Sequence, residues 1–258
     1  MTGDDKSLDL SSIFPDEPRP PSPGPSFDHY YRETENRTGN WSSVEIRLVG
    51  SHPLWGHYLW NAARAFATYL DAHPQLYQNL NVIELGAGGG LPGIVAALNG
   101  ADTVVLTDYP DDALIENLQY NVNRNLSRSP KSRVFVKGYV WGRPVTHLLE
   151  LLPDEIVGFD VILMSDLIFN HSQHDALLRS CLLLYTTATH CSPPTLLVFF
   201  THHRPHLATR DMDFFEKAKA SWIAEEVVRK AYQPMFENDP GDMGIRSMVH
   251  GWKLLKAG

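Results

Sequence analysis

The residues best suited to chemistry lie in Val82-Ile83-Glu84-Leu85-Gly86-Ala87-Gly88-Gly89-Gly90-Leu91-Pro92-Gly93. An apolar run reaches Glu84, glycines follow, and Pro92 suits the first turn of a helix that Gly100 would stop. Glycine lets backbone approach a ligand closely at the carboxyl edge of a parallel sheet. The next apolar run ends at Asp108, 22 residues beyond Gly86. A carboxylate at that place can accept hydrogen bonds from ribose hydroxyls; its competing role is to cap the helix that follows Tyr109-Pro110. Together the loop and the acid suit a nucleoside. A dinucleotide loop reads G-x-G-x-x-G/A, but counted from Gly86 and Gly88 the third position is Leu91. Glu84 would also repel a pyrophosphate. It suits instead the ammonium of S-adenosylmethionine (SAM), which has an amino acid end, a sulfonium and no phosphate.

These residues need strands to end where they stand. Val82–Leu85, Val104–Thr107, Val134–Lys137, Val161–Met164 and Leu196–Thr201 read as strands, and residues 92–99, 111–126 and 173–187 as helices between them. Strict alternation of this kind implies a parallel sheet with helices on both faces. Upstream, Val44–Val49 alternates like a strand, and Leu59, Ala62, Ala63, Phe66 and Leu70 give residues 56–70 a helical period. Beyond a helix near 211–222, the extended runs Val227–Tyr232 and Met248–Leu254 are expected to form an antiparallel edge hairpin.

The 258 residues divide into two parts. Residues 1–26 hold Pro15, Pro18, Pro20, Pro21, Pro23 and Pro25 behind acidic residues, and are expected to form a disordered tail. Residues 27–258 are expected to form a single domain. With 43% hydrophobic and 20% charged residues the chain can fill a sizeable core. No apolar run is long enough for a membrane span, and the start lacks a secretory signal, so a cytoplasmic protein without membrane partners is expected. Cys181 and Cys191 then read as reduced thiols. A net charge of −8 argues against binding nucleic acid and is compatible with a basic protein partner.

Glu84-Leu85-Gly86-Ala87-Gly88 with Asp108 resembles the class I, seven-strand SAM-dependent methyltransferases. Pro53-Leu54-Trp55-Gly56, Val140-Trp141-Gly142 and Ser165-Asp166-Leu167-Ile168-Phe169-Asn170 resemble their small protein-lysine methyltransferase subgroup. Ile13-Phe14-Pro15-Asp16-Glu17-Pro18 and Phe200-Thr201-His202-His203-Arg204-Pro205 are similar to the fungal enzymes first called nicotinamide N-methyltransferase-like. These are understood as N-terminal and lysine methyltransferases of elongation factor 1-alpha. The resemblance implies a Rossmann-like, seven-stranded, mostly parallel sheet, SAM as cofactor and elongation factor 1-alpha as protein substrate; a monomer is expected. It implies that Gly86, Ala87 and Gly88 line the amino acid end of SAM and that Asp108 holds the ribose. Trp141 would cover the adenine, Trp55 would close the pocket and Ser165 would touch the cofactor from the fourth strand. Asp166 and Phe169 fit the acidic-x-x-aromatic pattern, with Phe169 where Tyr is common. They are the catalytic candidates, the carboxylate to orient or deprotonate the amine and the ring to face its charge.

Methyl transfer to an amine needs positioning more than a metal or a nucleophile. His171-x-x-His174 and His202-His203-x-x-His206 match no zinc pattern, and no metal is expected. His202 and His203 end the fifth strand, where they could touch substrate. Methylation of a small molecule such as nicotinamide, or of a lysine on another basic protein, stays open, because the cofactor half would look the same.

Overall fold

The structure is a computed structural model that describes residues 23–33, 41–50, 56–126, 132–185 and 194–256. The expected Pro-rich tail up to residue 22, Trp55 and Cys191 lie outside the described residues. The described chain opens with β1 (Ser26–Tyr31) and β2 (Ser43–Leu48), an antiparallel pair forming a sheet of their own. After α1 (Asn61–Ala72), strands and helices alternate as β3 (Asn81–Leu85), α2 (Leu91–Leu98), β4 (Thr103–Asp108), α3 (Asp112–Leu126) and β5 (Arg133–Gly138). A short α4 (Thr146–Leu149) leads to β6 (Val161–Ser165), α5 (His174–Leu184), β7 (Thr195–Thr201) and α6 (Ala208–Ala218). β8 (Trp222–Ala231), α7 (Met243–Ser247) and β9 (Met248–Lys256) complete the fold.

Seven strands form one sheet in the order β5-β4-β3-β6-β7-β9-β8. The first five in that order run parallel, and β9 pairs antiparallel with both β7 and β8. The expected α/β architecture and its edge hairpin are therefore observed. The central strands are buried on both faces, which is why they read as continuous apolar runs. Their side chains divide by the period of two. Val82, Val104 and Leu163 join a core with Phe66 of α1 and Ile94 of α2, whereas Ile83, Val105 and Ile162 join Leu177 of α5 and Phe214 of α6. Phe66 stacks on Phe199 of β7 at 4.1 Å with the rings 6° apart, a contact of about 0.5–1.5 kcal/mol beyond area burial. Among the described residues no helix is long and apolar enough to cross a membrane.

Three boundaries differ from the sequence reading. The helix expected over 56–70 begins at Asn61, because Trp60 is extended at φ −66° and ψ 149°. The helix expected over 211–222 spans Ala208–Ala218, and the edge strand starts at Trp222. A bulge between Glu226 and Val228 breaks the strand's alternation where it was to be read. β1 was not anticipated, since only Tyr30 is buried along it and the pattern has no period. Tyr30 of β1 and Val44, Ile46 and Leu48 of β2 are buried in the core, and polar groups add further ties. Arg32 donates to both Asp71 oxygens at 2.7 and 2.9 Å with both residues buried. The β2 amides of Glu45 and Arg47 donate to Asn125 and Asn121 of α3.

The sheet order reverses between β3 and β6: the chain moves outward through β4 and β5 and then returns. Open α/β sheets bind ligands outside the carboxyl ends of the strands at such a reversal.

Candidate active site

A cavity of about 620 Å³ opens at that reversal, walled by the β3–α2 loop, the ends of β4 and β6, and the segment before α1. The path of the β3–α2 loop favours glycine. Gly86 and Gly88 have φ of +58° and +54°, a region costly for residues with a Cβ. At Gly86 a Cβ would stand 2.6 Å from Leu167 and 3.1 Å from Trp141; at Gly88 it would meet nothing within 4 Å. The first glycine thus permits close packing, and the second leaves the backbone bare toward the cavity. The loop is tied to β4 by the Ala87 amide on the Thr107 carbonyl at 2.9 Å and the Gly88 amide on Asp108 Oδ2 at 2.6 Å.

Asp108 stands at the cavity rim, its Oδ1 accepting from the Tyr109 amide at 2.7 Å. The capping role weighed for it belongs to Asp111, whose Oδ1 accepts from the amides of Ala113 and Leu114. Trp141 follows β5 and lines the cavity; its loop is pinned where the Gly142 amide donates to Ser180 Oγ at 2.7 Å. Gly86, Ala87, Gly88 and Ser165 share the same wall. Glu84 does not reach it. The carboxyl is fully buried beneath the loop, with Oε2 accepting the Gly93 amide at 2.9 Å and Oε1 unpartnered. Burial pushes its pKa up to about 8 against the Gly93 hydrogen bond, and the Asp108 charge adds to the rise. The direct contact expected between Glu84 and a ligand ammonium is thus replaced by a place under the start of α2. The bare backbone at Gly88 and the carboxylate of Asp108 on the same rim fit a ligand with an amino acid end and a ribose.

Asp166 and Phe169 occupy the seam between this cavity and a second one of about 340 Å³. Trp60 and Arg204 also border both. The backbone of Asp166 is left-handed, φ +54°, and its amide donates to the Phe199 carbonyl at 2.7 Å. Its Oδ1 accepts from the Thr201 amide at 3.0 Å and lies 3.1 Å from His203 Nε2, while Oδ2 is buried and unpartnered. Burial disfavours charge on His203, but the Asp166 carboxylate outweighs it and holds the imidazole above its ordinary pKa. Trp60 and Phe169 meet the His203 ring edge-on, at 4.7 and 6.4 Å. Phe236, on the far side, packs against Tyr58 and Trp60.

The other histidines do different work. Asp211 Oδ1 and Oδ2 are each 2.6 Å from a ring nitrogen, His171 Nε2 and His202 Nδ1 respectively. This pins the segment after β6, which carries Phe169, to α6; His202 lines neither cavity. Among the described residues no cluster of three or more His, Cys, Asp or Glu is arranged to hold a metal ion. Burial pushes the Cys181 thiol up to about 12, so it stays protonated. Sequence reasoning missed Tyr58, Trp60, Arg204 and Phe236. Trp60 was hidden inside an apolar stretch with helical period.

The sequence family described as lysine methyltransferase matches residues 48–221. A protein of Cryptococcus neoformans named protein N-terminal and lysine N-methyltransferase EFM7 is 46% identical over 269 residues, covering 96% of this chain and 88% of that protein. Its namesake from Schizosaccharomyces pombe is 44% identical, covering 82% of each. Among solved structures, SMU.776 complexed with SAH is similar in fold at a TM-score of 0.54 and 10% identity, covering 82% of this chain and 54% of that one. TYW2 of Pyrococcus horikoshii in complex with MeSAdo has a TM-score of 0.50 at 13% identity, covering 83% of this chain and 69% of that one. Both likenesses show a shared fold with this chain. The chain belongs to the lysine methyltransferase family of SAM-dependent enzymes.

Proposed function

We propose that this protein transfers methyl groups from SAM to the N-terminal residue of elongation factor 1-alpha, to the lysine beside it, or to both, as a cytoplasmic monomer. One observation carries the reading: Asp166 and Phe169 line both the glycine-loop cavity and a second cavity beside it. A donor on one side and an amine on the other would meet there. The relatives' names supply the class of acceptor, an N-terminal amine or a lysine. The joint motifs of the tail and of Phe200–Pro205 support the particular protein, and the net charge of −8 suits a basic target.

When bound, SAM supplies a methyl group on a positively charged sulfur, which is a good leaving group. The remaining work belongs to the chain. Gly88 backbone and Asp108 hold the amino acid end and the ribose. Asp166, with its unpartnered Oδ2, attracts the incoming ammonium and accepts its proton directly or through water. A lysine has a pKa of about 10.4 and an α-amine about 8, so an amine must shed a proton before it can attack. The faces of Trp60 and Phe169 shield the nitrogen from water and favour its charge as the new bond forms. Fixing the amine in line with the methyl supplies most of the acceleration.

The test incubates the protein with labelled SAM and purified elongation factor 1-alpha, and locates label by mass spectrometry. Label on the first residue or the adjacent lysine is expected. An unlabelled factor, with SAM binding intact, would remove this substrate and move the search to other basic proteins and nicotinamide.

A further inference from the structure

The second cavity contains an uncompensated charge. Arg246 of α7 is 7% exposed and forms part of the cavity wall. Its Nη1 donates to the Phe236 carbonyl at 2.6 Å, and its Nε is shut away from solvent with no partner. The adjacent carboxylates are otherwise placed. Asp242 Oδ1 accepts from the Ile245 amide at 3.2 Å, and Glu237 Oε1 accepts from Gln233 at 3.1 Å. Asp239 also lines the cavity but is exposed and makes no ion pair with Arg246. A guanidinium this deeply buried is costly without a carboxylate or similar partner. Arg204, exposed at the same cavity, brings a second guanidinium.

We propose that this cavity is a subsite for a side-chain carboxylate of the acceptor polypeptide, bound by the guanidinium of Arg246 with Arg204 at the mouth. The inference rests on the reading that a polypeptide amine enters beside Asp166. Planar guanidinium and carboxylate match as a two-hydrogen-bond pair. Asp166 and Asp239 border the cavity too, so a singly charged carboxylate fits where a doubly charged phosphate would be repelled. The walls shared with the first cavity put the carboxylate within reach of an amine at Asp166, one to a few residues along an extended chain. The enzyme would then select basic tails that carry an acidic residue close to the acceptor amine.

The test uses synthetic hexapeptides with free α-amines, built from Gly, Ala and Lys, with Glu or Gln at one of the second to fifth positions. Their affinities for the enzyme saturated with SAH are measured by calorimetry. At one position the Glu peptide should bind about tenfold more tightly than its Gln partner. That preference should shrink to within about twofold in Arg246→Gln and persist in part in Arg246→Lys. SAH affinity of each variant verifies that it is folded. Equal binding of Glu and Gln peptides to the wild type at every position overturns the subsite, as does a preference that survives intact in Arg246→Gln. A Glu preference without methylation of any peptide keeps the subsite and sinks the acceptor reading; methylation without a preference does the reverse.

Discussion

His203 Nε2 lies 3.1 Å from Asp166 Oδ1, and the Asp166 oxygen that remains, Oδ2, is buried with no partner at the meeting of two cavities. The histidine and the Thr201 amide together fix the carboxylate's orientation through Oδ1 and leave Oδ2 without a partner. Left-handed backbone at a residue with a side chain is strained, and here the strain sits at the residue assigned the central chemical role.

The His203–Asp166 pair has a pH signature. The histidine's folded pKa is raised, so its contribution to stability is fully present below the unfolded pKa of about 6.5 and is lost as pH rises through the higher folded value. Replacing His203 with Gln should cost more stability at pH 6 than at pH 9, read by urea unfolding at both. A cost that does not change with pH would remove the ion pair from the account.

Glu84 behaves in the related way for an acid. Its folded pKa of about 8 lies above the model-compound value of 4.5, so the native state keeps a proton that the unfolded chain releases. Stability from this group falls as pH rises between those two values. Glu84→Gln preserves an acceptor for the Gly93 amide and cannot ionise. It should lose that slope, gaining on the wild type between pH 5 and pH 8 in denaturation experiments. Parallel profiles for the two proteins would contradict a protonated, buried Glu84.

Asp108 couples the loop to the ligand, since it takes the Gly88 amide at 2.6 Å while facing the cavity. Asp108→Ala should weaken SAH binding by about 1–3 kcal/mol, the cost of a charge-assisted hydrogen bond. Unchanged affinity by calorimetry would take Asp108 out of the site.

Gly88 separates folding from binding. An added Cβ meets nothing within 4 Å but requires φ +54°, at a position that lines the cavity. Gly88→Ala should cost about 1–2 kcal/mol in stability and lower SAH affinity by a larger factor. A variant that binds SAH like the wild type would show that the ligand does not pass over this backbone.

How much of this was readable from sequence depended on local or periodic signals. β3 and β6 were legible because both faces are buried and the run is short and apolar. The glycine loop, Asp108 and the Asp166–Phe169 pair were legible because their spacing is local. The start of α1 was not: Leu59 and Trp60 extend the helical pattern of apolar residues, yet Trp60 is extended and faces both cavities. Glu84 was read as facing a ligand because spacing places it at the loop but does not reveal which face of β3 it takes. Asp211 joins histidines 40 and 9 residues away, and Arg246 reaches the carbonyl of Phe236 across a turn. Such pairings depend on tertiary structure and leave no period to read.

The most direct test of the central claim, that transfer occurs at Asp166, compares Asp166→Asn with the wild type in SAH affinity and in single-turnover methyl transfer to the acceptor the wild type modifies. Asparagine tolerates left-handed backbone and keeps an oxygen for the Thr201 amide. SAH affinity should therefore stay within about threefold, while transfer falls by about 10²–10⁴-fold, the range for loss of a positioned proton acceptor. Transfer at the wild-type rate by a variant that still binds SAH would contradict the account.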